Sequence, residues 1–187
     1  MDTLTLRPWS DGDIDLLRAA NTAAMTAHLN GPETSRQVDD RHARYLRLTR
    51  SGEARMFVIE DAAVGDAAAE RVGSIGCWQT EWRGGRAWET GWFVLPAMQG
   101  RGIASAALGL LIDDLRARPE TQRQLLAFPE VDNGPSNGVC RRNGFQLVGR
   151  RVETFRDAEL EMNEWVLDLA VEVDAGPEMP TPPTTRP

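Results

Sequence analysis

The chain has 187 residues, 41% of them hydrophobic, which is enough for one domain with a proper core. Its net charge is −7 and all 21 of its cations are arginine, which argues against nucleic acid as the main partner and excludes lysine Schiff-base chemistry. No apolar run approaches the roughly 18 residues of a membrane span, and Met1-Asp2-Thr3-Leu4 opens no secretory signal, so a cytoplasmic protein without membrane contact is expected. Cys77 and Cys140 are expected as free thiols. His28 and His42 are the only histidines and have no cysteines at zinc spacing, so no metal site is expected.

In chain order, Leu4-Thr5-Leu6-Arg7 alternates like an edge strand that Pro8 ends. Ser10-Asp11-Gly12-Asp13 offers a capped helix start, carried on by Ile14, Leu16 and Leu17. After the break at Gly31-Pro32 a second helix is predicted from Thr34 to Arg50, with Val38, Tyr45, Leu46 and Leu48 as a partial apolar stripe. Strands follow at Arg55 to Glu60 and Val72 to Thr80, separated by an alanine-rich loop from Asp61 to Arg71. Gly84-Gly85 marks a hairpin turn into a strand from Ala87 to Leu95. Trp78, Trp82, Trp88 and Trp92 cluster along this hairpin, as a core ladder or as an aromatic wall over a ligand.

A helix from Gly102 to Ala117, a strand from Gln124 to Phe128 and a short helix from Ser136 to Arg142 come next. Two closing strands, Phe145 to Thr154 and Glu159 to Leu169, turn around Arg156-Asp157. From Val171 the apolar period is lost and Pro177, Pro180, Pro182, Pro183 and Pro187 dominate, so residues 171–187 are expected as a disordered tail behind a domain over residues 1–170. This order of strands and helices reads as α+β.

The most informative stretch runs from Trp92 to Ser105. A strand-like run stops at Pro96, two glycines flank Arg101, and an apolar helix begins at once. Such a turn presents unpaired N–H groups at a positive helix end, which suits a phosphate or pyrophosphate. A P-loop is excluded because its Gly-Lys-Ser/Thr ending is absent. A dinucleotide fold needs a third glycine where Ser105 stands, and an acid at the end of the next strand, whereas Glu120 precedes that strand.

What remains is Gln99, Gly102 and Ala104 in the form Q-x-x-G-x-A, led in by Val94 and Pro96, and then Asn133 and Ser136 (N-x-x-S) before Asn143-Gly144-Phe145. These two segments, in this order, resemble the GNAT superfamily of N-acetyltransferases, over about Leu4 to Leu169. The likeness is greatest to the branch with the ribosomal-protein N-terminal acetyltransferases. The resemblance implies a mixed, mostly antiparallel sheet of about seven strands flanked by about four helices. It also implies acetyl-CoA as acyl donor, a primary amine as acceptor, direct attack in a ternary complex, and room for a homodimer.

By the same resemblance, Val94 and Leu95 line the pantetheine arm. Gln99, Gly100, Arg101, Gly102, Ile103 and Ala104 hold the pyrophosphate, and Asn133 and Ser136 complete the site. Many relatives protonate the leaving sulfur with a tyrosine, but the single tyrosine here, Tyr45, lies in the N-terminal helical region. Ser136 takes that role in the reading, and Glu89, in an E-x-G-aromatic element, competes with Glu153 as the base. The missing tyrosine keeps open a coenzyme-A-binding sensor or scaffold without turnover.

Overall fold

Apolar residues at alternate positions make strands of this chain, and those at three-to-four spacing make helices. The computed structural model describes residues 4–62, 69–118, 122–155 and 158–170. The hairpin tip at Arg156-Asp157, most of the alanine-rich loop and the tail from Val171 lie outside the described residues. The elements are β1 (Leu4–Pro8), α1 (Ile14–Ala20), α2 (Ser35–Ser51), β2 (Ala54–Asp61), β3 (Glu70–Trp82), β4 (Gly85–Val94), α3 (Ile103–Arg116), β5 (Gln124–Ala127), α4 (Gly134–Arg142), β6 (Gln146–Phe155) and β7 (Ala158–Asp168). Seven strands form one sheet in the order β1-β2-β3-β4-β5-β7-β6, the α+β arrangement that the sequence implied.

Among the described strands only β4 and β5 run parallel, and α3 makes the crossover that a parallel pair requires. α3 and α4 cover one face, burying Leu108, Leu111, Leu115 and Val139 with Ile59, Ile75, Val94 and Leu125. α1 and α2 cover the other, where Leu16, Leu17 and Val38 meet Trp9, Met56 and Val58. Each fully buried leucine contributes about 1.5–3 kcal/mol.

Two local expectations are corrected and a third holds. The hairpin turn is Arg83-Gly84, with φ of 48° and 78°, so Gly85 already belongs to β4. Two positive φ values match a turn to the strand twist, and Arg83 takes one of them with its guanidinium over the Trp82 ring at 4.3 Å. Pro8 ends β1 as expected, paired with Phe57, a place that an edge strand allows. Ser10 opens a single 3-10 turn, Asp11–Asp13, ahead of α1. Burial opposes the charge of Asp13, yet hydrogen bonds from Arg7 and Ser10 hold its carboxyl below the usual range.

The four hairpin tryptophans form no ladder. Successive strand residues face opposite sides, so Trp78 and Trp82 lie on the α1/α2 face while Trp88 and Trp92 pack toward α3.

Candidate active site

β4 and β5 pair only at Trp88–Leu125 and Glu89–Leu126. Beyond Glu89, β4 continues alongside β3 to Val94, while the chain after β5 turns to β7: Asn163 N donates to Pro129 O at 2.9 Å, and Glu130 bridges Met162. The two strands therefore splay, and a gap opens between Thr90–Val94 and Ala127–Glu130. Leu95 N donates to Val72 O at 2.8 Å, so Leu95 faces β3. By the antiparallel alternation, Trp92 and Val94 aim their N–H and C=O into the gap. Gln99 Nε2 takes up Val94 O at 2.9 Å, which turns the Gln99 side chain back onto the strand end.

The glycine-rich turn stands at the end of this gap. Gly100 and Gly102 have φ of 77° and 79°, a region that side chains disfavour, and a Cβ at either would enter open space. No side chain caps α3 at Gly102, and its first hydrogen bond runs from Ala106 N to Gly102 O. The amides from Gly102 to Ser105 thus precede the helix ladder and meet the positive end of its dipole. Arg101 is exposed, with no ion-pair partner among the described residues. Ile103 is buried in the core and anchors the turn from below.

Across the gap, α4 follows β5. Asn133 is its N-cap, and its side chain accepts from Ser136 N at 3.1 Å, so the expected coenzyme contact is also a helix cap. Ser136, partly buried in the first turn, has no hydrogen-bond partner for Oγ among the described residues. Asn143 Nδ2 donates to Ser105 Oγ at 3.0 Å, so the end of α4 is tied to the first turn of α3 and the two motif segments are joined. Asn137, which the sequence reading passed over, is buried. Its amide donates to Glu130 O and Asn133 O and accepts from Asn163 Nδ2 and Trp165 Nε1, each at 2.8–2.9 Å, which pins α4 to β7.

Glu89 is the last position at which β4 pairs with β5, and it lies on the α1/α2 face. Burial pushes its carboxyl above the usual range, against a hydrogen bond from Trp78 and the field of Arg151. Glu153 lies on β6, the far edge of the sheet, ion-paired to Arg151, whose guanidinium also stacks on Phe128 at 4.4 Å. Tyr45 packs edge-on to Trp9, ring centroids 5.6 Å apart, and burial raises its phenol. Cys77 and Cys140 are free and buried, and desolvation pushes both thiols up to about 12. No described helix is long and apolar enough to cross a membrane, and the described residues hold no group of three or more metal-ligating side chains.

The connection from Asn21 to Thr34 spans the gap on the α1/α2 side. Met25 Sδ accepts from Gln99 Nε2 at 3.2 Å on one lip, and His28 pairs with Glu130 on the other. Asn21 fixes its base by a two-way hydrogen bond to the Glu33 backbone. Nothing in the local sequence of this loop marks either contact.

Residues 3–146 match the family model for the acetyltransferase (GNAT) domain. The chain belongs to the GNAT family. It is 32% identical over 122 residues to the ribosomal-protein-serine acetyltransferase of Escherichia coli K12, a match covering 63% of each protein. Among solved structures it resembles the Vibrio cholerae spermidine N-acetyltransferase bound to CoA and spermine, with TM-score 0.74 and 20% identity over 91% of this chain and 98% of that one. The Salmonella typhimurium acetyltransferase that modifies the N-terminal serine of L7/L12 superposes with TM-score 0.75 at 23% identity, over 90% of this chain and 96% of that one. These last two likenesses concern the fold.

Proposed function

We propose that this GNAT domain transfers an acetyl group from acetyl-CoA to a primary amine, either a protein N-terminus or a small molecule. The observation that carries the reading is the gap between β4 and β5, ending on an uncapped helix N-terminus whose two left-handed glycines face open space. In this reading the amides from Gly100 to Ala104 grip the pyrophosphate, with Arg101 adding a cation. The Trp92 N–H and C=O and the Val94 N–H line the pantetheine, and one of these two N–H groups polarises the thioester carbonyl. Asn133 and Ser136 close the site from α4. The acidic net charge does not oppose this, because local donors outweigh distant charges across a Debye length of about 8 Å.

The amine nitrogen attacks the thioester carbonyl carbon, the C–N bond forms, and the C–S bond breaks with its electron pair left on sulfur. Glu89 accepts the proton that nitrogen sheds, directly or through one water, and later returns it to solvent. Ser136 Oγ–H donates to the departing thiolate, which leaves as the thiol once protonated, and water restores the serine. Glu89 is preferred to Glu153 because it lies at the mouth of the gap, whereas Glu153 is held by Arg151. The buried, protonated thiols support direct transfer over an acyl-cysteine route. A cytoplasmic enzyme with its activity in residues 1–170 belongs to the same proposal.

The test is release of free CoA thiol from acetyl-CoA in the presence of an amine panel that includes a serine-initiated peptide and spermidine. Amine-dependent release is expected. Tight acetyl-CoA binding with no release for any amine would instead favour a CoA-binding module without turnover.

A further inference from the structure

Trp78 stands directly opposite Glu89 in the β3–β4 pair, so both side chains leave the sheet on the α1/α2 face. Two residues along β4 on the same face is Gly91, where a Cβ would come within 3.1 Å of the Trp78 ring. Directly opposite Gly91 is Gly76, where a Cβ would meet Met56 Sδ at 2.3 Å. The paired glycines leave a shallow bed on the sheet that Met56 and the indole fill from either side. Lying over this bed, the indole stands across the strand pair from Glu89 and favours the charged form of its carboxyl. A tryptophan kept for core packing alone would sit among the buried residues, as Trp88 and Trp165 do, whereas Trp78 stays part-exposed beside the gap.

We propose that Trp78 is a positioning residue for Glu89, its indole holding one carboxylate oxygen so that the other meets the acceptor amine, with Gly91 as the slot that admits the ring. This rests on the reading of Glu89 as the base. It makes Glu89-Thr90-Gly91 one unit, in which the glycine serves the carboxylate two residues before it. Arg151 from β6 acts on Glu89, and His42 and Tyr45 from α2 face the same side of the sheet.

The experiment is steady-state kinetics with pH profiles for Trp78→Phe, Gly91→Ala and Glu89→Gln. Trp78→Phe keeps an aromatic ring in the slot and removes the N–H. It should lower kcat about tenfold and leave the KM for acetyl-CoA unchanged. It should also move the acid limb of the kcat/KM profile to higher pH, since the lost bond favoured the charged carboxylate. Gly91→Ala leaves both partners in place but crowds the ring, and should act in the same direction. Trp78→Phe added to Glu89→Gln should bring no further loss. Unchanged kcat and an unchanged acid limb in both Trp78→Phe and Gly91→Ala, beside an inactive Glu89→Gln, would overturn the positioning role alone. Full turnover by Glu89→Gln would overturn the base assignment and the positioning with it.

Discussion

The α3 end of the gap and its α1/α2 face are made of different parts. At the α3 end the polar groups on offer are backbone amides, set by two left-handed glycines and a helix that starts without a side-chain cap. On the α1/α2 face they are side chains brought from distant segments: Glu89 beside Trp78, Arg151 reaching in from β6, and His28 paired with Glu130 across the mouth. A backbone site is fixed by local sequence, so it is sensitive to dihedral angles and tolerant of most side-chain changes. A side-chain site has the opposite sensitivities. A donor common to many enzymes suits the first kind, and an acceptor that varies suits the second.

Four substitutions, with a fifth as control, can break or sharpen this contrast. Gly102→Val should abolish acetyl-CoA binding in a titration, because the residue would leave the left-handed region and carry its amide away. Gly52→Val is the control, since that helix-end glycine has nearly the same φ, 78° against 79°, and also faces open space. It should show similar strain, about 1–3 kcal/mol by thermal melt, with binding unchanged. Glu89→Gln should lower kcat by about 10²-fold or more with acetyl-CoA affinity retained. In the wild type, burial raises the Glu89 pKa, so activity should fall on acidification through a pH above the ordinary carboxylate range, and this limb should vanish in the variant. Ser136→Ala should lower kcat about tenfold and leave binding nearly intact, while equal loss in both would mark the serine as a helix-start residue only. Arg101→Ala should raise the KM for acetyl-CoA only a few-fold, more at low salt, as befits an exposed cation.

The same division explains what was legible in the sequence. The glycine turn, its lead-in proline and the apolar helix after it are consecutive, so periodicity and turn chemistry located α3 within a residue or two. The succession of strands along the chain followed from alternation, whereas the parallel β4–β5 pairing is visible only in the structure. The α1/α2 face was not legible because it depends on register. A turn centred on Gly84-Gly85 would set Glu89 opposite Thr80, whereas the observed Arg83-Gly84 turn sets it opposite Trp78. One step in the turn thus changed which side chain reaches the carboxylate. Asn137 was a quieter miss, since only tertiary structure shows that its amide joins β7 to the loop before α4. The His28–Glu130 and Met25–Gln99 contacts bridge residues more than 70 positions apart, beyond any local pattern.

The most direct test of the central claim is a thermal-shift comparison of the purified protein with acetyl-CoA, free CoA and NADP. Ligand at 100 times its dissociation constant adds about 2.7 kcal/mol, a rise of several degrees for a chain of this size. The account predicts that rise with acetyl-CoA and CoA, its loss in Gly102→Val, and no change with NADP. A melting temperature unmoved by either CoA species, or raised equally in Gly102→Val, would contradict it.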